Sequence, residues 1–474
     1  MTTQFLHGTE TIEIPGGTFP IKISAAGPIG LSGTAPNADA SIFPLNTPVL
    51  LTAAPLQATK LGLLGTLPQA INQIYAEAGA AVIVIRVADD PSPAVVMSNI
   101  IGSVAAKTGV NAFRNAEALV GVKPRTFIAP GYTSIRPFGV LGATIAGGSG
   151  TGAGAAISFN PAGATGTVAL VGGSFIVTIT NPGNYANGTV VTATVTGCGA
   201  GATATVHTGS APNPVVAALI PIATDLRGRI YGDCPSDSDA SALAWRNDWD
   251  NERIVCFYPS VEVWDETSSA YVAAPASSSN AGLTSRVVTE QGFWYSPSNN
   301  AFNGVGGISS PIDYSDNPND QANILNSNDI VVTINSPSQG YTGWRRWGNH
   351  TCAKTNTAFQ FESVRTACDM VYEAVQRAQA WAVDKPPSLQ LLREMQASVQ
   401  AFFDYLVHMG ALVGGRVWLD PEKNTPEQTS AGIWAWDFDP TPPAPMEHIQ
   451  NYAQLNDKYY INLVSAIQSG LNGG

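Results

Sequence analysis

The sequence predicts an α/β (α+β) protein: mixed-sheet domains, an inserted small all-β module and extended arms at both ends. Three observations carry this. A strand, a helix and a largely apolar strand succeed one another between residues 21 and 87. From Pro137 to Thr224 there is no Asp, Glu, Lys or Arg. Past residue 355 the apolar spacing becomes helical.

The first observation resolves into elements. "IKISAAGPIGLSGTAP" reads as a buried strand running into a loop, and "TPVLLT" as a second strand. "LPQAINQIYAEAG" sets Leu67, Ile71, Ile74 and Tyr75 at helical spacing, with Pro68 near its start and Gly79 at its end. "AAVIVIRV" is a continuous apolar strand, the mark of a sheet buried on both faces. Strand, helix and buried strand make a βαβ unit. "RTFIAPG", residues 125–131, supplies the next strand.

The charge-free stretch alternates Val, Ile and Thr with small residues and is punctuated by Pro-Gly and Asn-Gly turns. Flexible linkers lack that alternation, so residues 137–210 read as an inserted β module. The α/β pattern resumes at "NPVVAALIPIATDLRGRIYGDCP". "SDSDASALAWRNDW" offers Ser and Asp caps to a short helix, and "ERIVCFYPSVEVW" reads as one strong strand. Helices are expected over 359–383, where Phe361, Val364, Cys368, Val371, Val375 and Trp381 lie near one face, and over 388–409. "GGRVWLDPEKNTPEQTSAGIWAWDF" returns to β structure. Residues 4–14 and 455–464 are rich in β-formers without a local partner, so both ends read as extended arms.

Composition excludes several functions. The chain has 474 residues, a formal charge of −12, 44% hydrophobic and only 12% charged residues. That suits a protein burying much surface, including against copies of itself, and argues against nucleic-acid binding, which needs an excess of Lys and Arg. No apolar run reaches the roughly 20 residues a membrane-spanning helix needs. "MTTQFLHGTE" lacks a signal-peptide pattern, so synthesis in a cytoplasm is expected. Five cysteines, without a Cys-x-x-Cys, read as buried free thiols. Five scattered histidines, His7, His207, His350, His408 and His448, have no metal-binding spacing. "GGSGTGAGAA" resembles a dinucleotide fingerprint, but β-formers follow it and no acid lies within reach, so it reads as a glycine-rich loop. The acidic positions Asp225, Asp233, Asp237, Asp239, Asp248, Asp250 and Glu252 lack calcium-loop spacing and read as a solvated face. No cofactor, metal or catalytic residue is expected. An α/β hydrolase-like enzyme would need His350 or His408 in a pocket beside a carboxylate and a nucleophile.

"GYTGWRRWGNHTC" holds the chain's one aromatic-basic cluster: Trp344, Arg345, Arg346 and Trp347. In an acidic chain, arginine-aromatic stacking within or between proteins is the expected use. Taken in order, "FLHGTETIEI", "PIGLSGTAP" with "FPLNTPVLLT", "LGLLGTLPQAINQIYAEAGAAVIVIRV", "YTGWRRWGNHTC", and "FESVRTACDMVYEAVQRAQAWAVDKP" through "NTPEQTSAGIWAWDF" to "NDKYYINLV" resemble the tail sheath proteins of contractile bacteriophages.

The resemblance implies an organisation. Residues 1–15 would be an N-terminal linker arm, 16–136 and 211–343 an outer α/β domain, and 137–210 an insertion projecting outward. Residues 344–452 would be an inner domain facing the tail tube, and 453–474 a C-terminal arm. Trp344, Arg345, Arg346 and Trp347 would form the seam between outer and inner domains. Phe5, Leu6, Thr11, Ile12 and Ile14, with Tyr459, Tyr460, Ile461, Leu463 and Val464, would add strands to neighbouring subunits. Implied partners are further copies of the chain in hexameric rings, a tail tube protein, and baseplate and tail terminator proteins. A contractile bacteriocin or related injection system would use the same kind of subunit. Residues 211–343 hold five Lys/Arg against fifteen Asp/Glu and would lie on the solvated outside. Cys198, in the inserted module, is a candidate for an inter-subunit disulfide.

Overall fold

The computed structural model describes residues 21, 25–52, 55–266 and 268–472. The N-terminal positions Phe5, Leu6, Thr11, Ile12 and Ile14 lie outside them. Contacts divide the chain into one unit ending at Pro443 and a second, Ala444–Gly474.

An eight-stranded sheet organises the first unit. Its strands run, edge to edge, Tyr341–Trp347, Ile330–Ser336, Ile254–Phe257, Arg229–Asp233, Thr126–Ile128, Ile29–Thr34, Ala81–Val87 and Val49–Thr52. The six central strands are parallel and the two edge strands antiparallel. Side chains alternate between the faces, and both faces are covered. Ile83, Ile85, Ile230, Ile254 and Val332 enter one core with the helices Pro93–Ile101, Pro214–Asp225 and Asp239–Asn247. Val82, Val84, Tyr231, Val255 and Val331 enter the other with the helices Thr66–Glu77 and Ala276–Glu290. The helix Asp239–Asn247 begins at Ser238, whose hydroxyl accepts the Ser241 N–H.

"ERIVCFYPSVEVW" differs from its reading as one strand. Ile254–Phe257 lies in the main sheet, whereas Val261–Asp265 belongs to a three-stranded sheet with Ala270–Ala274 and Val305–Ile308. Pro259, which has no N–H for a central ladder, stands between them.

The charge-free segment forms a separate six-stranded antiparallel sheet, ordered Thr203–Ser210, Phe138–Ala146, Ser174–Asn181, Thr165–Val171, Ala156–Asn160 and Thr192–Thr196. Its small core is Val140, Phe159, Ala164 and Val191. The Tyr185 hydroxyl accepts the Ala164 N–H at 2.6 Å and donates to the Pro161 carbonyl at 3.2 Å. Cys198 is 1% exposed. Its thiol points to the Thr196 carbonyl, so the surface thiol that a disulfide between subunits requires is not presented. All five cysteines are buried and free.

The C-terminal helices Glu362–Gln379 and Leu389–His408 pack a third core from Ala367, Val371, Val375, Val399, Phe403 and Leu406. The short hairpin Val417–Leu419 with Trp436–Phe438 adds Val417 to that core. In the second unit the tail is not extended: Tyr459–Asn472 is a helix. Tyr460, Val464, Ile467 and Leu471 recur at helical spacing, and without a strand partner the helix satisfies the backbone internally.

The inserted module enters and leaves at one point. The Ala211 N–H donates to the Pro137 carbonyl at 2.8 Å, and Ser210 pairs with Phe138. Replacing residues 138–210 by a two-residue turn is therefore expected to shift the melting temperature of the remainder by less than about 5 °C, measured by circular dichroism.

Candidate functional site: a buried ion-pair seam

Four arginines converge below the main sheet. Three of them stand at the starts of adjacent parallel strands: Arg125 just before Thr126, Arg229 opening its strand, and Arg253 just before Ile254. Parallel strands bring these like ends together, about 4.8 Å per strand. Arg346, on the antiparallel edge strand, is 0% exposed and comes in from the side. Against them lies the helix Glu362–Gln379. Glu362, Thr366, Asp369 and Glu373 succeed one another at intervals of four, three and four, so one helix face is a polar stripe.

Each carboxylate is matched. Glu362 pairs with Arg346, and with Arg229 at 3.3 Å. Tyr231 donates its hydroxyl to Glu362, and Arg346 also donates to Tyr231 at 3.2 Å and to Thr284 at 3.0 Å. The Arg346 guanidinium lies 5.5 Å from the centre of the Tyr231 ring and 5.2 Å from that of Phe257. Arg229 donates to Thr366 at 2.5 Å and to Thr126 at 3.0 Å. Asp369 takes two bonds from Arg253, at 2.6 and 3.1 Å, and one from Arg365 at 2.7 Å. Glu373 accepts from Arg125 at 2.8 Å and from Lys123 at 3.0 Å, and pairs with Arg377 at 2.7 Å.

These fields show in the acidities. Burial pushes the Glu373 carboxyl up, but Arg125 and Lys123 outweigh it and bring the pKa to about 2. Burial likewise opposes ionisation of Glu362, and Arg346 and Arg229 overturn that, leaving its pKa below the usual range. Burial raises the Tyr231 hydroxyl, so it stays a donor to Glu362.

The four residues of the aromatic-basic cluster do different things. Trp344 packs on the same core as Tyr231 and Phe257, whereas Trp347 packs on the opposite face. Trp347 completes an aromatic trio with Tyr314 and Tyr341, at 5.0 Å from each. Arg345 turns away from the seam and donates to the carbonyls of Thr342 and Asn299. Sequence reasoning missed Arg125, Arg229, Arg253, Glu362, Asp369 and Glu373. Signals existed: "PRTFI", "GRIYG" and "ERIVC" each open a buried strand with arginine, and the helix carries its acids on one stripe.

His350 contacts Asp329 at 2.8 Å. The neighbouring thiols Cys256 and Cys352 are pushed well above their usual pKa, first by burial, so they remain protonated and unreactive. Among the described residues no group of three or more His, Cys, Asp or Glu is placed to hold a metal.

The chain superposes on the contracted helical sheath of the anti-feeding prophage with a TM-score of 0.59 at 15% identity, covering 96% of this chain and all of that one. It superposes equally well, at 13% identity, on the contracted sheath complex of an extracellular contractile injection system, covering 97% of this chain and all of that one. Residues 354–455 match the phage tail sheath C-terminal domain. The tail sheath protein of Burkholderia phage BcepMu is 30% identical over 98% of this chain and 99% of its own length. That of Escherichia phage P2 is 27% identical over 98% of this chain and 100% of its own length. The chain belongs to the phage tail sheath protein family.

Two predictions follow from the seam geometry. Glu362→Gln leaves the Arg346 charge buried without its counter-ion and is expected to cost about 3–5 kcal/mol in denaturant unfolding, against under about 1 kcal/mol for Arg345→Gln. Glu373 has a folded pKa below its ordinary 4.5, so its contribution is complete above that value and is lost as pH falls towards about 2. Thermal melts should accordingly show progressive destabilisation below pH 4.5, and Glu373→Gln should flatten that part of the profile.

Proposed function

We propose that the chain is the repeating subunit of a contractile tail sheath. Subunits stack as hexameric rings around a tail tube, between baseplate and tail terminator. Contraction from a metastable extended state drives the tube through the host envelope during genome delivery. The observation that carries this is similarity to phage tail sheath proteins over 98% of this chain. Assembly takes place in the host cytoplasm and the product is part of the virion tail. The chain turns over no substrate and consumes no nucleotide; the free energy is stored in subunit interfaces that have two arrangements.

Residues 16–136 and 211–343 form the outer portion and 344–452 the tube-facing portion, joined by the pairs Arg125–Glu373, Arg229–Glu362 and Arg253–Asp369. Such a joint suits a body that must move as one piece. Residues 1–15 and 453–474 link neighbouring subunits, the N-terminal arm by strand addition, which supplies main-chain hydrogen bonds to an open sheet edge. The helix Tyr459–Asn472 supports a linking role for the tail, because Tyr460, Val464, Ile467 and Leu471 give it an apolar stripe. Use in an extracellular injection system is the second reading. Similarity to those sheaths is at 13–15% identity, whereas the phage relatives reach 25–30% over nearly the whole chain, which favours the phage tail.

Negative-stain electron microscopy of the purified chain, alone and with its cognate tube protein, tests the reading. Full-length protein is expected to form sheath-like tubes, and versions lacking residues 1–14 or 453–474 to remain as separate particles. Globular particles from the full chain even with the tube present would refute it.

A further inference from the structure

The three-stranded sheet carries a corner that the buried seam does not use. Val261 and Val263 point into the core beneath it, so Glu262 and Trp264 point outward. Trp264 is paired in register with Tyr271 on the next strand. The two rings meet edge to face at 5.4 Å and 75°. Both are more than half exposed, at 55% and 57%.

The floor is built by two glycines on the third strand. A β-carbon on Gly306 would collide with the Tyr271 ring, and one on Gly307 with the Glu262 carboxylate. Both side chains therefore lie down over bare backbone. Glu262 has no hydrogen-bond or ion-pair partner among the described residues, and the segment 254–285 contains no Lys, Arg or His. Asp265 and Glu266 add negative charge beside it.

Two aromatic faces at a steep angle with a free carboxylate make a receptor for an organic cation, since the ring quadrupoles and the carboxylate attract the same charge. We infer that Glu262, Trp264 and Tyr271 receive a lysine or arginine side chain of a second copy of this chain. Charge complementarity singles out that occupant. Residues 211–343 carry five basic against fifteen acidic side chains, whereas exposed cations such as Lys60, Lys107, Lys385 and Arg393 lie outside that segment. In a polymer of identical acidic chains, the cations that can neutralise this face come from the neighbouring copies. The inference rests on the sheath reading and adds to it a lateral contact outside both arms.

The test uses the full-length chain under the assembly conditions above. Glu262→Gln and Trp264→Ala are each expected to raise the concentration needed for tube formation roughly tenfold at low salt, without a change in melting temperature. Trp264→Phe is expected to recover part of the loss, and the Glu262→Gln defect should shrink as salt rises. Hydroxyl-radical footprinting should find Trp264 and Tyr271 protected in tubes and reactive in free subunits. Tubes in which Trp264 stays reactive, or which form from both variants at the wild-type concentration, overturn the inference and leave the sheath reading standing. Protection with a loss on Trp264→Ala but none on Glu262→Gln overturns the cation and identifies an apolar contact. If the wild-type chain forms no tubes even with the tube protein, the sheath reading itself fails, and the inference with it.

Discussion

Burying an arginine demands a carboxylate, and this structure buries four arginines in one place. Arg125, Arg229, Arg253 and Arg346 leave the sheet with positive charge almost wholly removed from water. Among the described residues, the acidic stripe of the helix Glu362–Gln379 neutralises it. The position of the whole C-terminal layer depends on that match. An apolar surface would let the helix slide by a turn at little cost. A register of guanidinium against carboxylate does not, because any displacement strands charges on both sides. The seam thus provides orientation more than adhesion.

That distinction matters for a subunit of a contracting machine. Rearrangement is useful only if the body of each subunit transmits force without deforming. The parallel sheet, covered on both faces, is stiff by packing density. The ion-pair seam extends that stiffness across to the helices Glu362–Gln379 and Leu389–His408. A softer feature lies elsewhere. The inserted module hangs from the single junction at Pro137 and Ala211.

The inserted module shows how a β domain holds together without charge. Its core is small, and Tyr185 secures a turn by bonding both Ala164 and Pro161. With no ionic group on its surface, it attracts neither nucleic acid nor charged neighbours through long-range fields. Electrostatic contacts of the subunit therefore come from the rest of the chain, which carries all of its Asp, Glu, Lys and Arg.

The sequence by itself determined the local periodicities: the helix Thr66–Glu77, the apolar strand Ala81–Val87, the limits of the uncharged module, the two C-terminal helices, and the ordered stretches that carry the family resemblance. These are properties of neighbouring residues, set by backbone geometry and by which side is apolar. Tertiary structure decided what depends on distant partners. Arg125 and Glu373 meet across 248 positions, and no local pattern ties them together. Arg345 and Arg346 are adjacent and chemically alike, yet strand alternation and a buried glutamate give them opposite fates. Cys198 sits in an exposed module but is enclosed by it, "ERIVCFYPSVEVW" divides between two sheets, and the β-rich tail winds into a helix. In each case the residue's own preference is weak, and the group opposite it in space settles the outcome.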